Sequence, residues 1–121
     1  MHATLPLLKQ IAFPDIRRAR LETLQVNLGY RCNQACLHCH VNAGPSRREQ
    51  MTRQTVDEII AFLRRSNVAT LDLTGGAPEL NPHIEQIIQR LGPLAPRFMF
   101  RSNLAALYDD ENGRFGELLR E

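Results

Sequence analysis

Apolar and polar residues alternate with the period of a β-strand over residues 21–28, Leu21-Glu22-Thr23-Leu24-Gln25-Val26-Asn27-Leu28. The same period of two returns in Thr70-Leu71-Asp72-Leu73-Thr74 and in Arg97-Phe98-Met99-Phe100-Arg101. Between these segments the period lengthens. Val56, Ile59, Ile60 and Leu63 fall at i, i+3, i+4 and i+7, the stripe of a helix with one buried face. It is expected to begin near Thr52, although Thr55 and Glu58 have capping-box spacing and would move the start by a turn, and Ser66-Asn67 should end it. Ile84, Ile87, Ile88 and Leu91 form a second stripe, with Asn81 as N-cap, Pro82 at the first helical position and Gly92-Pro93 as the stop. A third helix is expected after the turn-prone Asp109-Asp110-Glu111-Asn112-Gly113.

The order is βαβαβα, which calls for a parallel sheet with right-handed crossovers. A parallel sheet covered on both faces would have near-continuous apolar strands. Here one face carries Leu24, Val26, Leu28, Leu71, Leu73, Phe98 and Phe100, and the other carries Gln25, Asn27, Asp72, Thr74, Arg101 and Asn103. Helices on one side and a polar cavity on the other describe a curved, incomplete barrel. The expected fold is therefore α/β, the N-terminal βαβαβα portion of a partial parallel (β/α) barrel. Residues 1–20, with two prolines and little periodicity, read as a leader draped over a domain of residues 21–121. The final Gly116-Glu117-Leu118-Leu119-Arg120-Glu121 reads as a helix cut short, so the chain is expected to be a fragment truncated within its domain.

At 121 residues there is room for one domain with a core. Fifteen basic and thirteen acidic residues leave a net charge of +2, too balanced to suggest nucleic acid. Arginines cluster at Arg17, Arg18 and Arg20, at Arg47 and Arg48, and at Arg64 and Arg65, but without interleaved aromatics they read as solvated surface. Leu5-Pro6-Leu7-Leu8 is too short for a signal peptide and far too short to span a membrane. The cytoplasm is the expected compartment, and no membrane partner is expected.

All three cysteines lie within eight positions, in Arg31-Cys32-Asn33-Gln34-Ala35-Cys36-Leu37-His38-Cys39-His40. A disulfide framework is disfavoured by the odd count. Zinc could take Cys32, Cys36 and Cys39 with a histidine. His38 and His40 both adjoin Cys39, however, and using Cys32, Cys36 and His40 would strand Cys39. Three thiolates spaced C-x3-C-x2-C can instead hold three irons of a [4Fe–4S] cluster and leave the fourth iron open. From this stretch alone both metals stay open. Each strand is followed by an unusual segment: the cysteines, then Gly75-Gly76-Ala77-Pro78-Glu79, then Ser102-Asn103. In a parallel barrel all three would meet on one rim, where active sites form, and this favours iron–sulfur.

The cysteine spacing resembles the signature of the radical S-adenosylmethionine (SAM) family. That resemblance implies Cys32, Cys36 and Cys39 as cluster ligands and SAM chelating the open iron. It also implies one-electron reduction of the SAM sulfonium to give a 5′-deoxyadenosyl radical. Gly75 and Gly76 resemble the family's glycine-rich motif, which holds the amino group of SAM. The usual form is Gly-Gly-Glu; here Ala77 and Pro78 intervene and the carboxylate arrives at Glu79. Ser102 and Asn103 resemble the polar end of the family's third strand, and His38 stands where the family has an aromatic residue near the adenine.

Within the family, residues 24–36, His38-Cys39-His40-Val41-Asn42-Ala43-Gly44-Pro45, residues 71–82 and Arg101-Ser102-Asn103-Leu104 are similar to the arsenosugar biosynthesis group. Members couple the deoxyadenosyl unit of SAM to a trivalent dimethylated arsenic compound, and they carry a further barrel half and a cysteine-rich C-terminal region. The resemblance thus implies a small-molecule arsenic substrate, an electron donor such as a flavodoxin or ferredoxin, and little turnover by this part alone. A radical SAM enzyme acting on a peptide or another small metabolite, and a non-catalytic zinc-binding module, are the alternatives.

Overall fold

The computed structural model describes residues 4–14, 16, 17, 19–108, 114–118 and 120. Along the chain a helical turn, α1 (Leu5–Leu8), precedes β1 (Thr23–Asn27), α2 (Arg53–Leu63) and β2 (Thr70–Thr74). A 3-10 turn at Pro78–Leu80 leads into α3 (Ile84–Leu91), and a second at Gly92–Leu94 leads to β3 (Arg97–Phe100). Two short helices follow, α4 (Ala105–Tyr108) and α5 (Arg114–Leu118). The expected turn at residues 109–113 lies outside the described residues, as do 1–3, Asp15, Arg18, Leu119 and Glu121.

The strands form one parallel sheet in the order β1-β2-β3. Its register sets Leu24 beside Leu71, Val26 beside Leu73, and these beside Phe98 and Phe100. Since side chains alternate across a strand, one face of the sheet becomes a continuous apolar surface. Val56, Ile60 and Leu63 of α2 and Ile84, Ile87 and Leu91 of α3 bury themselves in that core, with Phe115 of α5 stacked at a tilt on Phe100. Leu71, Leu73 and Leu91 have no accessible surface left, worth about 1.5–3 kcal/mol each.

The other face is polar, as the alternation predicts. Asp72 is buried on it beneath Arg101, which donates from Nε at 2.9 and 3.0 Å and from Nη2 at 2.8 Å. Gln25 adds a bond from Nε2 to Asp72 Oδ2 at 2.9 Å, so three strands are tied across this face. The Arg101 guanidinium holds the Asp72 carboxyl below its usual range, against burial, with help from Gln25. A depressed pKa contributes stability that is present above the ordinary carboxylate pKa near 4 and lost as pH falls through the folded value. Asp72→Asn is accordingly expected to cost about 1–2 kcal/mol at neutral pH, discounted for the exposed Arg101. Thermal melts should show the gap to the parent chain closing in acid; an equal gap at pH 7 and well below 4 would deny the ion pair its role.

The structure bears out two of the expected helix boundaries and corrects a third. Thr52 caps α2, its hydroxyl accepting from Thr55 N–H, and the Thr55–Glu58 capping box is not used. Helix α3 starts two residues later than expected, because Asn81 is turned inward to other partners and does not act as N-cap. Gly92 ends α3 as its C-cap, as expected, and the chain runs on through a 3-10 turn with Gly92 at φ −51°. Helix α4 was not anticipated; four residues carry too little periodicity to be read. The leader, expected to drape over the domain, leaves Leu7, Ile11, Phe13 and Ile16 exposed and, among the described residues, supplies none to the core.

Candidate cofactor site at the strand ends

The cysteine loop is closed at its base by backbone. Leaving β1, Gly29 adopts φ +143°, a conformation other residues avoid, and a Cβ there would fall 2.5 Å from Glu49 O. Asn27 Oδ1 receives the Gly29 N–H at 2.8 Å and helps set the turn. The outgoing chain then pairs with its own return: Tyr30 N–H to Glu49 O, Gly44 N–H to Tyr30 O, and Cys32 N–H to Gly44 O. Residues 32–43 hang from this neck. Within them Cys39 N–H reaches Cys36 O at 3.2 Å and Asn42 N–H reaches Cys39 O at 3.1 Å, with Asn42 in the left-handed region at φ 51°.

The glycine motif after β2 packs directly on that neck. Gly76 N–H donates to Gly29 O at 2.8 Å and Ala77 N–H to Arg31 O at 2.9 Å. The approach is close enough that a Cβ on Gly76 would lie 2.4 Å from Arg31 O and 3.0 Å from Ala43 Cβ. Asn81 completes the junction, donating to Leu28 O at 3.2 Å and accepting from His83 N–H at 2.9 Å. After β3, Asn103 Oδ1 caps α4 by accepting from Ala105 and Ala106 N–H, while its Nδ2 donates to Cys32 Sγ at 3.4 Å and Asn33 Oδ1 at 3.0 Å.

These three strand ends enclose an open pocket of about 290 Å³. Cys32, Cys36, Cys39, His38, Gly75, Gly76 and Asn103 all line it. Ala77, Glu79 and Ser102 do not: Ala77 is buried behind the wall, and Ser102 Oγ is occupied by Leu104 N–H at 2.8 Å. Gln34, His40, Val41, Ala43 and Thr74 join the lining. They were not singled out beforehand as pocket residues; their position beside the cysteines and at the end of β2 was the available signal.

The thiols are free and set in a field of N–H donors. Cys32 Sγ accepts from Gln34 N–H at 3.4 Å and Cys39 Sγ from Ala43 N–H at 3.2 Å. The N–H of Ala43, then that of Val41, lowers the Cys39 thiol pKa, assisted by Asn42 N–H and the Arg47 charge. Thiolates are what iron and zinc bind. Among the described residues no three His, Cys, Asp or Glu side chains converge on a single-ion site. A tetrahedral zinc, with Zn–S bonds of about 2.3 Å, would draw its thiolates together. Three thiols spaced around a cavity wall suit a group with several metal atoms better. Glu79 is a further oddity: both its carboxylate oxygens are buried and, among the described residues, neither has a hydrogen-bond partner.

The family model of the radical SAM superfamily matches residues 26–114. The Probable GTP 3′,8-cyclase of Pyrococcus horikoshii is 28% identical over 85 residues, covering 70% of this chain and 27% of the relative. The GTP 3′,8-cyclase of Aquifex aeolicus is 33% identical over 76 residues, covering 59% of this chain and 23% of the relative. A Bacillus subtilis protein named for peptide biosynthesis, YydG, is 24% identical over 84 residues, 68% of this chain and 26% of the relative. The chain thus spans about a quarter of the length of these relatives. Among the described residues no helix is long and apolar enough to cross a membrane.

Proposed function

The chain belongs to the radical SAM superfamily, and from that premise we propose that it is the cofactor-holding part of an enzyme that adenosylates a trivalent dimethylated arsenic compound. Proteins of this superfamily use a [4Fe–4S] cluster and SAM. Bound together, these cofactors supply one-electron reduction of a sulfonium and a 5′-deoxyadenosyl radical. The observation that carries the reading is the single pocket shared by Cys32, Cys36, Cys39, Gly75, Gly76 and Asn103. The three thiolates would hold three irons, and Asn103 would fix the orientation of Cys32.

An ammonium group needs acceptors. The N–H groups of Gly76 and Ala77 are already spent on the neck, so the glycine motif offers carbonyls, the right polarity for the amino group of SAM. Glu79 lies outside the pocket lining, but its buried, unpartnered carboxylate oxygens make it the second acceptor that would turn toward the amino group when the cosubstrate brings positive charge. His38, which lines the pocket, would stand by the adenine. The arsenic substrate rests on the motif resemblance, in which Gly75-Gly76-Ala77-Pro78-Glu79 replaces Gly-Gly-Glu. Soft trivalent arsenic prefers thiolates, and the three here would be committed to iron. The relatives named for GTP cyclisation and peptide biosynthesis favour a second reading, the same cofactors serving a nucleotide or a peptide.

The test is anaerobic reconstitution with iron and sulfide, followed by electron paramagnetic resonance of the reduced protein with and without SAM. A [4Fe–4S] signal that changes when SAM is added is expected. A chain that assembles no cluster and binds zinc tightly would overturn the enzyme reading. Glu79→Gln supplies a sharper arm: SAM should bind about tenfold more weakly, near the lower end for a charged hydrogen bond. The SAM-free chain should meanwhile melt higher, since an unpartnered buried carboxylate is relieved. A variant that gains no stability and loses no affinity removes Glu79 from the site.

A further inference from the structure

A second cavity opens beside the loop neck. It measures about 450 Å³, shares no lining residue with the cysteine pocket, and is walled by Arg31, Pro45, Ser46, Arg47, Arg48 and Gln50. Arg47 is fixed in place: it pairs with Glu49, lies 4.8 Å over the Tyr30 ring, and donates from Nη1 to Asn42 O at 2.7 Å. The Arg31 and Arg48 side chains are exposed and, among the described residues, make no side-chain hydrogen bond or ion pair. Three arginines against one glutamate leave the patch at +2, equal to the formal excess of the whole chain.

We propose that this basic face docks a small acidic one-electron carrier protein that reduces the cluster. The inference rests on the cluster reading above. One electron leaves the reduced carrier and enters the cluster; no atom or proton is transferred. Position supports it, because Arg31 adjoins Cys32 in sequence, and Arg47 holds the carbonyl of Asn42, whose N–H closes on Cys39 O. Charge supports it too: unpaired guanidiniums steer an acidic partner and suit the brief encounters of electron transfer, which bury little area. A small reductant would need no such surface. Nucleic acid is the poorer occupant, since the Tyr30 ring that could stack a base is already covered by Arg47.

The probe is an acidic flavodoxin. Its binding is measured first on the cluster-free chain as a function of salt, then its rate of cluster reduction is compared with that of dithionite. The double variant Arg31→Glu/Arg48→Glu is expected to slow flavodoxin association and reduction by about tenfold or more at low salt. Dithionite reduction should stay within twofold (about 0.4 kcal/mol), and Arg64→Glu, a single charge reversal at the C-cap of α2 and outside this cavity, should have no effect. The proposal is overturned if Arg64→Glu slows the flavodoxin as much, or if dithionite slows in parallel. It is overturned as well if a short DNA duplex binds the patch more tightly than flavodoxin does. Failure of cluster assembly with salt-sensitive flavodoxin binding intact would sink the cofactor reading and leave the docking face standing.

Discussion

Cys36→Ser is expected to abolish iron–sulfur assembly while leaving the fold intact. Cys36 is the exposed member of the three, so its replacement touches no core contact. Surface changes of that kind stay within about 0.5 kcal/mol, a shift of roughly 2 °C in melting temperature for a chain of this size. Yet the loop holds only three thiolates, and three irons need all of them. Iron and sulfide per chain should fall to background, with the brown charge-transfer absorbance lost. Cys39→Ser should do the same, and Cys32→Ser should add a small stability loss, since Cys32 is buried and its sulfur accepts from Gln34 and Asn103. A Cys36→Ser protein that retained full iron and sulfide would show that this loop does not ligate the cluster with three cysteines.

The second large effect is expected from Gly76→Ala, which adds one methyl group in the wrong place. That methyl would sit 2.4 Å from Arg31 O and 2.9 Å from Arg31 C, both backbone atoms of the loop neck. Neither can rotate away as a side-chain tip could. The neck and the β2 segment must separate, weakening the bonds from Gly76 to Gly29 and from Ala77 to Arg31. Overpacking of this kind costs about 2 kcal/mol, or roughly 8 °C here. Cluster loading should suffer further, because Cys32 hangs directly from the displaced neck. Gly116→Ala is the control. It lies within α5 with open space around the added methyl group, so the change should be neutral or slightly stabilising. Equal melting temperatures for the two variants would mean that the close approach at Gly76 does not support the loop.

Much of this architecture could be read from residue order. Period-two alternation located β2 at Thr70–Thr74 and foretold a sheet with one apolar and one polar face, because burial acts on each side chain according to its parity. The helix stripes were legible for the same reason. Helix starts were less so, since Thr52 and Thr55 are equally good caps in isolation and only the docking of α2 decides between them. Asn81 misled for a related reason: an amide suited to capping is also suited to reaching Leu28 O, and that partner lies 53 residues earlier in the chain. The rim location of the three loops followed from topology. What could not be foreseen is that Gly75 and Gly76 are constrained by their neighbour loop before any ligand is considered. Nor could the burial of Glu79 be foreseen, because a single carboxylate after Gly-Gly-Ala-Pro carries no pattern that reports its surroundings.

The neck that closes residues 32–43 also bears on how the protein lives with a perishable metal group. In a free chain, gathering three cysteines onto one cluster would require closing the loop between them, an entropy loss of roughly 2 kcal/mol for a segment of this length. Here the bonds among Tyr30, Cys32, Gly44 and Glu49 already hold the two ends of the loop together through the backbone. A loop closed at its base in this way would leave the metal–thiolate bonds less chain entropy to offset.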